Sequence, residues 1–255
     1  MTFGDGDTDV YNFDTTTGRM NQFQFTIHGS TTQSLTGIPG WNPNWTLGTL
    51  GITDQLKSSN TQTCSYAYDA LARISSVGCV NGSTTVWSQK FTLDPFGNIS
   101  KSGSSSFAAS YLLANGTTNN REQTVGSCVP TYDASGNLTK DCSFATPETY
   151  TWSGYGNPAT LNGVGLTYDA LGREVEIASS STYTQVLYSP IGKLGLMNGQ
   201  SFEAIRVPPP GGSTGQLLNG QNTILHSDWL GSSRLSTLYT DQTVANDVSY
   251  RVVVG

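Results

Sequence analysis

Four cysteines and a set of regularly placed aspartates are the residues of this 255-residue chain whose types and spacing suggest chemistry. Cys64 and Cys79 bracket the segment Asp69–Ala72 almost symmetrically, and Cys128 and Cys142 do the same around Asp133–Gly136. In an antiparallel hairpin, residues equidistant from the turn face each other about 4.5–5.5 Å apart at Cα, inside the window a disulfide needs. The spacing therefore predicts two hairpin staples, Cys64–Cys79 and Cys128–Cys142, each contributing about 3 kcal/mol in the chain-entropy picture. The competing reading is four buried free thiols. A metal site is disfavoured, since no Cys-x-x-Cys spacing occurs. Disulfides imply a compartment outside the reducing cytosol.

The aspartates invite an acid–base reading, but Asp14, Asp69, Asp94, Asp133 and Asp169 all occupy one slot of a repeated segment. A residue needed at every copy's turn is structural. Asp5-Gly6-Asp7-Thr8-Asp9 alternates carboxylates as a calcium loop does. Its sixth position is Val10 instead of glycine and its twelfth is Thr16 instead of glutamate, so a solvated turn is expected. His28 and His226 are the only histidines, and neither a Gly-x-Ser-x-Gly elbow nor a His-Glu-x-x-His pair is present. No catalytic residue, cofactor or metal is expected. Asp228 and Arg234 are spaced to meet as an ion pair across the turn at Gly231-Ser232.

The elements that position these residues are read from the repeats. Tyr11-Asn12-Phe13-Asp14 to Gly18-Arg19, Tyr68-Asp69-Ala70-Leu71-Ala72-Arg73, Leu93-Asp94-Pro95-Phe96-Gly97-Asn98, Tyr132-Asp133-Ala134-Ser135-Gly136-Asn137 and Tyr168-Asp169-Ala170-Leu171-Gly172-Arg173 share one rule. It runs aromatic, Asp, two residues, Gly, then Arg or Asn. Weaker copies with serine at the Asp slot end at Gly156 and Gly192, and Gly51 and Gly116 fill the long gaps as decayed copies. The unit is about twenty residues, one hairpin with its connection. Asp accepts backbone N–H groups within the turn, and Gly on the far side supplies a positive φ. Flanking residues alternate apolar and polar, as in Cys64-Ser65-Tyr66-Ala67-Tyr68, the period of a half-buried strand.

Composition agrees. Charged residues are only 12% of the chain and glycines number 29, which excludes a helical bundle, while a net charge of −6 argues against a nucleic-acid partner. No run approaches the roughly 18 apolar residues of a membrane helix, and the N-terminus lacks a signal-peptide pattern. The expected fold is mainly β: consecutive antiparallel hairpins forming a twisted, curved sheet. Three segments are expected: a hairpin array over 1–205, a Pro/Gly-rich linker or crossing over 206–223, and a further segment over 224–255. The aromatic residues flanking the turns are expected to stack between hairpins, with a glycan-binding surface as the alternative.

The aromatic-Asp-x-x-Gly-Arg units resemble the YD repeats of the bacterial RHS (rearrangement hotspot) family. Trp41-Asn42-Pro43-Asn44, the Pro208-Pro209-Pro210-Gly211-Gly212 run and Ser227-Asp228-Trp229-Leu230-Gly231-Ser232-Ser233-Arg234 strengthen the resemblance. The last looks like the signature that opens the RHS-associated core, with Asp228, Gly231 and Arg234 as its structural residues. The resemblance implies a hairpin ribbon wound into a hollow shell that encloses or presents a C-terminal toxin or surface domain, in a secreted or cell-surface protein. Its implied partners are the rest of such a shell or a passenger toxin. The family's self-cleaving aspartyl protease motif has no counterpart: Asp94-Pro95-Phe96-Gly97 matches it superficially but sits at an ordinary repeat turn. Relatives continue beyond the position where this sequence gives Arg251-Val252-Val253-Val254-Gly255, so a fragment is expected.

Overall fold

A computed structural model describes residues 1–113, 115–179, 182–190, 192–207, 214–218 and 220–248. Residues 208–213 and 219 of the linker or crossing expected over 206–223, and the end at 251–255, lie outside the described residues. The chain divides into two compact units, one built from Met1–Phe91 with Arg206–Gly255 and the other from Thr92–Ile205.

The first unit begins with β1 (Thr8–Phe13), β2 (Met20–Ile27), β3 (Ser30–Trp41), β4 (Leu47–Asp54), β5 (Gln62–Tyr68), β6 (Ile74–Asn81) and β7 (Thr84–Leu93). Each strand pairs antiparallel with the one before it. Period-two alternation sends Phe23, Phe25 and Ile27 of β2 to one face, where they form a core with Leu35 and Ile52. Phe23 needs a partner without a side chain. Gly37 lies directly opposite it, and a Cβ there would fall 1.9 Å from the ring.

The second unit carries β8 (Ile99–Gly103), β9 (Ala109–Ser110), β10 (Thr124–Val125), β11 (Thr131–Tyr132), β12 (Leu138–Asp141) and β13 (Glu148–Trp152). It continues through β14 (Pro158–Leu161), β15 (Val164–Tyr168), β16 (Glu174–Ala178), β17 (Tyr183–Ser189), β18 (Gly192–Asn198) and β19 (Ser201–Val207). From β11 to β19 the strands again pair in sequence order, all antiparallel. Cys142 and Val186 are its buried hydrophobic residues among those described, so its faces stay largely open.

The chain then returns to the first unit with β20 (Thr214–Leu218), β21 (Gln221–Ser227), β22 (Ser233–Leu238) and β23 (Val244–Asp247). Leu235 joins the Phe23–Phe25–Ile27 core, with Trp229 and Val244 packed against it. Thr214–Leu218 is a strand paired with β21, inside the stretch expected as a linker or crossing. Residues from the two ends of the sequence therefore share one core. A period-two pattern fixes which face of a strand is buried, not which distant segment covers it.

Candidate functional site

The repeat slot builds one turn many times. The N–H of the slot residue donates to the carbonyl four residues on, and the N–H three residues on donates back to the slot carbonyl. This holds at Asn42, Asp69, Asp94, Leu113, Asp133, Ser153, Asp169 and Asp228, and at Asp14 with one residue more. Asp69 Oδ1 accepts the N–H groups of Leu71 and Arg73 at 2.9 Å each. Asp94, Asp133, Asp169 and Asp228 accept equivalent bonds. The register slips by one residue at the preceding aromatic in the Trp41, Tyr68, Tyr132, Trp152 and Tyr168 hairpins. A type I turn, a left-handed residue and a bulge together make this geometry.

The alternation of Arg and Asn at the position after Gly now has a reason. Both place an N–H on the second Asp oxygen: Arg73 Nε on Asp69 Oδ2 at 2.7 Å, Asn98 Nδ2 on Asp94 Oδ2 at 2.7 Å, Asn137 Nδ2 on Asp133 Oδ2 at 2.9 Å, and Arg173 Nε on Asp169 Oδ2 at 2.8 Å. Against a desolvation that is the largest influence at Asp94, the backbone N–H bonds (foremost at Asp69 and Asp169) and these side-chain bonds hold the carboxyls of Asp69, Asp94, Asp133 and Asp169 below the usual range.

The left-handed position is glycine at 18, 97, 116, 136, 156, 172 and 231, but alanine at 72 (φ 60°) and tryptophan at 45 (φ 73°). Gly116 is a repeat turn, as expected. Gly51 is not: it sits within β4, paired with Thr63 and Ile38. The copy filling that gap is Asn42–Thr46, where Trp45 replaces glycine at a cost of about 1–2 kcal/mol. Sequence reasoning looked for glycine and passed over it.

The aromatic residue also has a job at its polar tip. Trp41 Nε1 donates to the Met20 carbonyl at 2.8 Å, Tyr68 Oη to Leu47 at 2.7 Å, Trp152 Nε1 to Leu138 at 2.7 Å, and Tyr188 Oη to Glu174 at 2.9 Å. Each acceptor is the strand residue just after the preceding repeat's turn. Arginine adds a second tie: Arg19 lies 5.7 Å from the Trp41 ring centroid and 3.5 Å from that of Trp45, and Arg173 lies 4.6 Å from Tyr188. These contacts tie the turns at Asp14, Asn42, Asp133 and Asp169 to the hairpin that follows each.

Both disulfides are formed, Cys64–Cys79 between directly opposed residues of β5 and β6 and Cys128–Cys142 around the Asp133 turn, with no free cysteine remaining. Cys64 and Cys79 are buried with Val77 and Trp87 in a second small core.

The buried polar chemistry lies elsewhere. Asp5, Asp7 and Asp9, expected in a solvated turn, are all buried in the first unit. His226 of β21 sits among them, fully buried. Its Nδ1 is 2.7 Å from Asp9 Oδ1, and its Nε2 is 3.1 Å from Thr237 Oγ1 and 3.4 Å from Asp7 Oδ2. Thr237 Oγ1 donates to Asp7 Oδ2 at 2.6 Å, and the His28 backbone N–H donates to Asp7 Oδ1 at 2.8 Å. Burial works against a charge on His226, but the Asp7 and Asp9 hydrogen bonds prevail and push its pKa up to about 9. Asp7 is held low by the same bonds despite its desolvation, whereas burial raises Asp5. Only Asp9 lies in β1; Asp5 sits in a turn and Asp7 just before the strand, and burial comes from the β21–β22 hairpin that supplies His226 and Thr237.

Arg234 also differs from expectation. It makes no turn-closing pair with Asp228, whose Oδ1 is occupied by the Leu230 and Ser232 N–H groups. Arg234 instead reaches Asp54 Oδ2 at 3.3 Å, Asp247 Oδ1 at 2.5 Å and the Val248 carbonyl. Asp247 Oδ2 accepts from Asn60 Nδ2 at 2.9 Å. β22 is buried at four successive residues, Arg234 to Thr237, so Arg234 is enclosed within the unit while Asp228 stays at the turn. The signature turn itself is one more copy of the repeat turn. Among the described residues no group of histidine, cysteine, aspartate and glutamate is arranged to hold a metal ion, and no helix is long and apolar enough to cross a membrane.

No family model matches the chain, and no curated protein does so. Among solved structures it is similar to the crystal structure of TcdB2-TccC3-Cdc42, with a TM-score of 0.58 and 13% identity over 98% of this chain and 15% of that one. The structure of TcdB2-TccC3-TEV is similar to the same extent, with a TM-score of 0.57 and 12% identity. The present chain therefore spans about 15% of the length of the chains it matches. At these identities the likeness is one of fold: mainly β, a long run of consecutive antiparallel hairpins like part of the TcdB2-TccC3 structures.

Proposed function

We propose that this chain is a non-enzymatic structural module, a length of RHS-type YD-repeat ribbon that contributes to a shell enclosing or presenting a C-terminal toxin or surface domain. The observation that carries this reading is the recurring turn. Its aspartate and its Arg or Asn close the turn itself, and the aromatic tip ties the hairpin to its neighbour. The fold likeness to part of TcdB2-TccC3 supports it, and the two disulfides favour a secreted or cell-surface location. Its partners on this reading are further hairpin ribbon and a passenger domain. Electron microscopy of tagged protein purified from its native source tests this: hollow particles that shield a passenger from protease are expected. An isolated solid monomer with a fully protease-sensitive passenger overturns it.

One observation favours a second reading, an adhesin-like glycan-binding surface. Tyr155 is 96% exposed at its turn tip and borders an open cleft with Asn157, Tyr168 and Asp169. Glycan-array binding that is lost in Tyr155→Ala selects this reading over the shell.

A further inference from the structure

We propose that a proton on His226 acts as a latch for the first unit: the imidazolium clasps the N-terminal segment to the C-terminal hairpin β21–β22, and alkaline conditions release it. The hydrogen-bond directions require the charged ring. Nδ1 faces a carboxylate oxygen of Asp9 at 2.7 Å, which only an N–H can satisfy. On the other side the Thr237 hydroxyl hydrogen is committed to Asp7, so the Thr237 oxygen is left to accept from Nε2. Two acceptors at two ring nitrogens demand two protons.

The surroundings set the direction of release. Asp7 and Asp9 face the ring from the N-terminal segment, together with Asp5. Tyr11 Oη of β1 lies 3.4 Å from Asp9 Oδ2, and the Met1 ammonium bonds the Asp9 carbonyl. His28 approaches from the β2–β3 turn, its Nδ1 3.1 Å from the Asp5 carbonyl. From β22 come Thr237 and Arg234, the latter held by Asp54 and Asp247. Phe3 meets the ring edge-to-face at 5.6 Å and Phe25 packs tilted against it at 5.5 Å, and the ring is fully buried. Deprotonation therefore leaves the buried Asp7 and Asp9 carboxylates without the cation that lies between them.

The sign follows from linkage. The folded pKa, pushed up to about 9, exceeds the ordinary histidine value of 6.5. The stabilisation is complete below about pH 6.5 and lost as pH rises through 9. Within that window the opening equilibrium rises about tenfold per pH unit, one proton being released.

The test is a series of urea titrations between pH 6 and 10, read by fluorine NMR of 5-fluorotryptophan at Trp229, which packs 5.9 Å from Phe23. The wild type should open about tenfold more readily per pH unit, and the His226 Hε1 resonance should titrate with the same midpoint. His226→Gln should be less stable at pH 7 and lack this dependence. A wild type whose opening is flat from pH 7 to 9, or a His226→Gln variant with the same alkaline decline, overturns the latch. If His226→Gln does not fold, Asp9→Asn decides: its midpoint should move at least one pH unit lower, and an unmoved midpoint refutes the proposal.

Discussion

Replacing Arg234 with alanine removes the guanidinium that stands between Asp54 and Asp247. The Arg234 and Asp54 side chains are 5% and 0% exposed, and that of Asp247 is 10% exposed. Truncating one member of a buried ion pair leaves the others desolvated and unpaired, at a cost of about 3–5 kcal/mol. Burial already raises the Asp54 pKa, so Asp54 takes up a proton when the cation is gone, which holds the cost near the lower end, about 3 kcal/mol. Arg73→Ala and Arg173→Ala remove arginines from pairs that are far more exposed, and both should barely change the unfolding midpoint. Urea denaturation of the three variants, with double-mutant cycles, gives the comparison. Arg234 and Asp54 should couple by more than about 1.5 kcal/mol, and Arg234 and Asp228 by less than about 0.5 kcal/mol. An Arg234→Ala variant within about 1 kcal/mol of wild type would refute the reasoning. So would strong coupling to Asp228 with none to Asp54.

Three other outcomes are expected. Paired Cys→Ala replacement at Cys64–Cys79 or at Cys128–Cys142 should each cost about 3 kcal/mol from loop entropy, and non-reducing peptide mapping should recover only these two cross-links. Tyr188→Phe keeps the ring and deletes only the bond to the Glu174 carbonyl, so thermal melting should show a loss of about 1 kcal/mol, and Tyr68→Phe, which deletes the bond to Leu47, a similar one. The turn carboxylates Asp14, Asp69, Asp94, Asp133 and Asp169 are held low in the folded protein, so their contribution is present above about pH 4 and lost as pH falls through the depressed values. Melting curves between pH 2 and 5 should show this acid-side decline, flattened when Asp69 and Asp169 are both changed to asparagine.

The sequence by itself determined the repeated hairpins. A slot residue that is most often Asp, a left-handed residue three positions on and an N–H donor after that all lie within five residues, so the repeats and their hairpins were legible. So was each disulfide, because residues flanking one turn are brought together by that turn. Asn42–Thr46 departs from the repeat pattern twice, with Asn42 in the Asp slot and Trp45 in a conformation that glycine adopts without strain. Tertiary structure alone decided the pairing of residues far apart in sequence. His226 meets Asp7 and Asp9 across more than two hundred residues, and Arg234 meets Asp54 across 180. Strand alternation assigns faces to residues such as Phe23, Phe25 and Ile27, but nothing in a one-dimensional pattern states which distant segment covers them. That choice comes from burying Phe23, Phe25 and Leu235 together, and the buried charges find their partners only once that core has closed.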